Sequence, residues 1–360
     1  MFLFTALTGS NLMAATLHVD LNSTNPTPPY ASRDSAATDI QAAVNGAVDG
    51  DTVLVWDGQY LLTNEIRVSK AITVQSANGT GSTIVDGQGS VRCFYLEITS
   101  CVIEGLTITN AYSGNFGGGI YCDDTTPVIT NCVLVGNSAQ SGAGMYHGTA
   151  TDCIISGNSS PQFGYGGGLF LSTAYNCTIS GNSGGYGGGM DGCTAYNCTI
   201  SGNTADYGGG VEGCTLSNCA IFGNMAYNGG GVAGGTLSNC AIFGNFAADT
   251  GGGCEESVLT HCTITGNTAD VLGGGTSGCT LTNCIVYANT AFSTDDNWVN
   301  DTFSYCCTTP LPEGEGNISA DPMLLGPSHI HPNSPCVGAG SADHKMGSKM
   351  GSGRLIHYFD

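Results

Sequence analysis

Apolar and polar residues alternate along this chain in very short bursts. Between Asn131 and Asn289 one phrase returns eight times, reading Asn-Cys-x-Ile-x-Gly-Asn with small variations. Its cysteines are Cys132, Cys153, Cys177, Cys198, Cys219, Cys240, Cys262 and Cys284, at intervals of 21, 24, 21, 21, 21, 22 and 22 residues. Within each phrase Cys and Ile stand two apart around a small residue, as in Cys198-Thr199-Ile200-Ser201. That is strand alternation with one buried face. The segments are too short and too rich in glycine for helices. A fixed period in the low twenties is the mark of a solenoid, one supersecondary unit per repeat.

The pattern therefore predicts an all-β fold, a parallel β-helix of about 12 coils of 21–24 residues, with strands stacked about 4.8 Å apart. Stacking turns equivalent residues into columns. Ile155, Ile179, Ile200, Ile221, Ile242 and Ile264 are expected to form the apolar core. The closing asparagines, from Asn137 to Asn289, are expected to form an amide ladder of the kind that stabilises stacked parallel strands. Glycine triplets such as Gly187-Gly188-Gly189 suit a turn that needs positive φ or close backbone approach.

Outside the repeat, Ile40, Ala43, Val44 and Ala47 have helical spacing, and Thr38 or Asp39 can cap that helix. Strands follow at Thr52–Trp56, Ile66–Val68 and Ile72–Val74, so the short helix is placed as a plug at the N-terminal end. Five segments result: 1–15 as a signal remnant, 16–65 as cap and first strands, 66–305 as the β-helix, 306–344 as a C-terminal cap module, and 345–360 as a tail. The first rests on Phe2-Leu3-Phe4 and the small residues Met13-Ala14-Ala15, which read as part of an export signal.

Charge narrows the function. The 360 residues carry 7 basic and 28 acidic side chains, a formal charge of −21. From Cys93 to His344 there is no Lys or Arg, against 19 carboxylates. Such a surface repels nucleic acid and other polyanions and attracts cations. No run of about 20 apolar residues suits a membrane span.

The candidate chemistry sits next to the triplets. Asp191 and Glu212 hold the same place in successive coils, with Ala233 and then Glu255 at the same offset later. Like charges one coil apart raise one another's pKa or recruit a cation, and Ca²⁺ is the ion such oxygen ligands suit. Tyr165, Tyr186 and Tyr207 form an aromatic column before the triplets, with Phe116 earlier at the same place, while Phe222 and Phe243 form an outward pair. These aromatics either stack on sugar rings or cover the wall of the helix. One cysteine recurs in every coil and a second only in some, so the thiols are expected to fill the interior as small apolar groups. Cys306, Cys307 and Cys336 fall outside the repeat and are the candidates for bridges.

Glycine triplet plus apolar residue, then Ile-x-x-Asn as in Ile179-Ser180-Gly181-Asn182, resembles the repeat of polymorphic outer-membrane proteins. Ile40-Gln41-Ala42-Ala43 and Gly50-Asp51-Thr52-Val53 are similar to the opening of many pectin-lyase-like right-handed β-helices, which implies a right-handed parallel β-helix here. Asp321-Pro322 and Ser334-Pro335-Cys336-Val337-Gly338-Ala339-Gly340 resemble a terminal module of exported bacterial β-helix proteins, with Gly338 where that module has Asp. The resemblance implies an extracellular or cell-surface protein with a binding or structural, adhesin-like role and a polysaccharide or other surface component as partner. It also admits a polysaccharide lyase or hydrolase, or a filament or coat subunit. Lyases of that superfamily use a Lys or Arg base, which the repeat lacks. Its hydrolases use clustered aspartates with a His, for which only Asp123-Asp124 and His147 offer themselves. As an enzyme, the chain would have to work through Asp191 and Glu212.

Overall fold

A computed structural model describes residues 14–97, 100–292, 296–341 and 346–348. Nearly all of the expected signal remnant and most of the expected tail lie outside these residues. The chain is an all-β parallel β-helix. Its walls are a 13-stranded sheet running from Thr16–Val19 to Thr302–Ser304, a 12-stranded sheet from Gly58–Leu61 to Cys307–Thr308, and an 11-stranded sheet from Ile66–Val68 to Trp298–Val299. A five-stranded strip from Thr204–Tyr207 to Thr290–Ala291 edges the later coils. The one antiparallel pair among the described residues joins Leu324–Gly326 to His329–Ile330 in the C-terminal segment.

The register places like over like, as the repeat requires. Ile179 pairs with Ile200, Ile200 with Ile221 and Ile221 with Ile242, all fully buried. The other two walls compensate each other coil by coil. Ala150, Ala174 and Ala195 on the 13-stranded sheet share their coils with Met145, Leu169 and Met190 on the 11-stranded sheet. Where the first wall changes to Leu216, Leu237 and Leu259, the second shrinks to Val211, Val232 and Cys254. Each coil thus encloses a similar volume, which a close-packed interior demands.

The asparagines form the expected ladder. Asn203 donates from Nδ2 to Asn224 Oδ1 at 3.0 Å and to the Ile179 carbonyl at 3.0 Å, and its own Oδ1 accepts from the Asn182 backbone N–H and Nδ2 at 2.9 and 3.0 Å. Asn297 closes the run after Asn289. The triplets divide their labour. Gly187 has φ +59°, while a Cβ on Gly188 or Gly189 would sit 2.4–2.6 Å from carbonyl oxygens of the next coil. The first glycine is needed for conformation and for space, since a Cβ there would collide with the Met190 carbonyl oxygen, and the other two for space alone.

The cysteines are all reduced and buried. They also do more than fill volume. Backbone N–H groups of Cys132, Cys177, Cys198, Cys240, Cys262 and Cys284 each point at the Sγ one coil on, at 3.3–3.5 Å. That ladder ends on Cys306, which corrects its placement outside the repeat. Cys306 lies 22 residues after Cys284, but the Ile-x-Gly-Asn that should follow it has degenerated. At the other end the helix Ile40–Gly46 is capped by Asp39, whose Oδ1 accepts the Ala42 N–H at 2.8 Å, and it buries Ile40, Ala43 and Val44. No helix among the described residues is long and apolar enough to cross a membrane.

Candidate functional site

One outward position on the 11-stranded sheet, two residues after each triplet, forms a single file along the helix axis. In order it holds Arg67, Tyr95, Tyr121, Tyr146, Phe170, Asp191, Glu212, Ala233, Glu255, Ser277 and Val299. A second file at the adjoining turn holds Phe116, Ser141, Tyr165, Tyr186, Tyr207 and Asn228. The expected pairs therefore do meet: Asp191 lies beside Glu212, and Tyr186 lies between Tyr165 and Tyr207.

The rings of the two files make one continuous stack. Tyr95, Tyr121 and Tyr146 follow at 4.8 and 5.1 Å between centroids. Phe116 packs on Tyr146 at 4.7 Å, and Phe170 lies 5.7 Å from Tyr146. Phe170 passes the stack sideways to Tyr165 at 5.5 Å, and Tyr186 and Tyr207 continue at 5.2 and 5.5 Å. The stack changes file where the strand position ceases to be aromatic, and the carboxylates take the places that the rings leave. Because most neighbouring planes are nearly parallel, with Tyr146 and Phe170 tilted by 42°, ring faces are largely spent on one another. What the wall offers to a ligand is ring edges and phenol hydroxyls. Phe222 and Phe243 stack likewise at 4.9 Å on the 12-stranded sheet, and Tyr175 and Tyr196 at 5.1 Å on the 13-stranded one.

Arginines close the N-terminal end of the stack. The Arg67 guanidinium lies 4.4 Å from the Tyr95 ring centre, and that of Arg92 lies 5.0 Å from Tyr121. Both are neutralised locally, Arg67 by Glu65 and Glu97 and Arg92 by Glu65. Beside them a shallow depression of roughly 500 Å³ is lined by Asn64, Arg92 and Tyr112, among others.

The carboxylates at the other end are not paired. Asp191 is only 9% exposed, and its carboxyl accepts no hydrogen bond among the described residues. Burial pushes it up to about 7. Glu212 has a buried Oε2 without a partner. It too rises to about 7, through burial first and then through the charges of Asp191, Glu255 and Glu256. Glu255, past Ala233, is raised by burial but accepts the Thr250 hydroxyl at 2.7 Å. Two carboxyls with a gap before the third do not supply the six to eight oxygens that Ca²⁺ takes. Among the described residues no group of three or more His, Cys, Asp or Glu could hold a metal ion.

The residues considered for a hydrolase site are used otherwise. Asp123 accepts the Tyr95 hydroxyl at 3.0 Å. Asp124 is held by the Thr126 hydroxyl and N–H, which lower its pKa. His147 stacks on Tyr146 at 4.0 Å. Tyr95, Tyr121, Tyr146 and Phe170 are members of the face that the repeat pattern did not single out. The signal was available for the last three, because Tyr121, Tyr146 and Phe170 follow Gly119, Gly144 and Gly168 at the same offset that put Asp191 after Gly189.

No protein-family model and no curated protein matches the chain. Among solved structures it is similar to pectate lyase Pel9A, with 12% identity and a TM-score of 0.49, covering 93% of this chain and 96% of that one. It is similar to the PL6 family alginate lyase AlyGC, with 13% identity and a TM-score of 0.47, over 85% of this chain and 56% of that one. A third is the gp42 tailspike of Acinetobacter phage vb_AbaP_AS12, with 12% identity and a TM-score of 0.46, over 89% and 67%. Likeness at this level carries nothing about activity or ligand.

Proposed function

We propose that this chain is an exported, polysaccharide-binding β-helix that holds an extended glycan lengthwise along the file from Tyr95 to Glu212. The observation that carries this reading is the single face on which a stack of eight rings meets two carboxylates without partners, one or two residues from each of six successive coils. Its phenol edges offer a hydroxyl at coil spacing, which suits a polymer rich in hydroxyl groups. Hydrogen bonds from sugar hydroxyls would also relieve the carboxylates of burial without partners. Binding sites built this way keep a few placed polar groups among aromatic ones.

Affinity electrophoresis in gels cast with a panel of neutral, basic and acidic glycans tests this. The wild type is expected to be retarded by at least one of them, and a Tyr186→Ala/Tyr207→Ala variant to lose about 10-fold in affinity. Equal mobility with every glycan would defeat the proposal. A catalytic reading has one specific observation in its favour: Asp191 and Glu212 both titrate near 7, where a general acid works best. Release of new reducing ends by the wild type, abolished in Asp191→Asn, would establish it.

A further inference from the structure

We infer that the glycan held at this face is an amino polysaccharide, bound by a free ammonium group between Asp191 and Glu212. This rests on the polysaccharide-binding reading above and names its substrate class.

The argument starts from how the chain treats its other buried carboxylates. Asp20 has the Arg33 guanidinium at 2.6 Å. Asp51 accepts the Ala15 and Val48 N–H groups at 2.7 and 2.8 Å. Asp86 accepts from Gln59, Gln88 and Asn110, and Asp301 from the Thr276 hydroxyl and the Cys279 N–H. Glu255, on the same file as the pair, has Thr250. Among the described residues Asp191 is the buried carboxylate without a donor, and its half-buried neighbour Glu212 keeps one carboxylate oxygen buried without one. Asp191 is nine-tenths buried, and the Glu212 Oε2 atom is buried and unpartnered.

A buried carboxylate without a donor or counter-charge is among the costliest arrangements a fold can hold. Among the described residues no basic side chain forms an ion pair with either carboxylate, and from Cys93 to His344 the sequence holds no Lys or Arg. Below about pH 7 a proton relieves the pair; above it, a ligand can supply the missing partner. It must carry positive charge and several donors, and it must fit between carboxylates on adjacent coils. An ammonium group has three donors and a full charge, so it can bond both carboxylates at once. A neutral sugar hydroxyl would leave the pair's charge uncompensated. A uronate would add a third negative charge to it. The surrounding surface favours the cation as well, since the segment from Cys93 to His344 holds 19 carboxylates and no Lys or Arg. Ala233 ends the pair, so one ammonium per bound chain is the expected occupancy.

The test is titration calorimetry at pH 7.5 and 0.15 M NaCl with three hexasaccharides: glucosamine, N-acetylglucosamine and a uronate. Calcium chloride alone forms a fourth arm. The glucosamine hexamer is expected to bind at least 10-fold more tightly than its acetylated twin, and the uronate not at all. Asp191→Asn/Glu212→Gln is expected to lose at least 10-fold for glucosamine. Asp152→Asn/Asp270→Asn removes the same charge from exposed positions elsewhere and is expected to change little, which also separates the pair from the general negative field. Equal binding of the acetylated hexamer, tighter binding of the uronate, saturable calcium binding that displaces the amino sugar, or an equal loss in both double variants would each overturn the inference while leaving glycan binding in place. Binding of no glycan at all would instead overturn the underlying reading.

Discussion

The partnerless carboxyl of Asp191 makes a prediction about stability that needs no ligand. Folded, it titrates near 7, and its ordinary value is 3.8. Between those two values the folded chain holds a proton that the unfolded chain has lost. Raising pH through this window therefore weakens the fold, the reverse of what a salt-bridged aspartate does. Full conversion of the gap gives at most about 4 kcal/mol at pH 8. Water reaches part of the carboxyl's surroundings and screens it, which reduces the expected cost to about 2 kcal/mol. Asp191→Asn removes the charge while keeping the shape. It also relieves Glu212, whose pKa is raised in part by Asp191. At pH 8 the variant should be the more stable protein by about 2 kcal/mol, or a few degrees in Tm for a chain of this length. At pH 4 the two proteins should melt together. The assay is a set of melting curves by circular dichroism from pH 4 to 8, with Asp152→Asn as the control for net charge. Parallel curves for wild type and Asp191→Asn across that range would refute the claim that Asp191 is desolvated.

Other consequences follow from the ladders. Asn203→Ala removes four hydrogen bonds and leaves the Asn182 N–H and the Ile179 carbonyl buried without these partners, so it should cost about 4 kcal/mol in denaturant titrations. The exposed Asn197→Ala, at φ +55°, should cost only about 1 kcal/mol. Gly189→Ala should yield little folded protein, because its Cβ would meet the Gly210 carbonyl at 2.6 Å, whereas Gly157→Ala meets nothing within 4 Å and should stay folded by circular dichroism. Burial holds thiols such as Cys254 well above their ordinary pKa, so a thiol-specific dye should label the native chain slowly and all 18 cysteines only after denaturant is added.

What could be read in the sequence and what could not divide along one physical line. A residue whose role is set by its own coil and the next announces itself by recurrence. Ile200 recurs because the narrow interior admits one shape there, and Asn203 because each rung needs an identical rung above and below. Cys306 escaped because the phrase after it decays while the backbone register does not, so the ladder persists where the pattern has ended. The exchange of Ala195 and Met190 for Leu216 and Val211 escaped for a different reason: it is a sum across two walls, and neither column shows it alone.

The candidate face is harder still, because it is defined by where recurrence breaks. Strand alternation assigns Asp191 to the outside, and so it is, yet the residue is nine-tenths buried. Alternation along its own strand does not explain this burial; the turn at Gly187 in the same coil lies close against the Asp191 side chain. Phe170 precedes it on the file, and there the ring stack shifts onto Tyr165, Tyr186 and Tyr207 of the adjoining file. A polar residue in an aromatic file is unremarkable as a letter in the sequence. It becomes chemistry only when the fold takes away its water and none of the described residues gives back a donor.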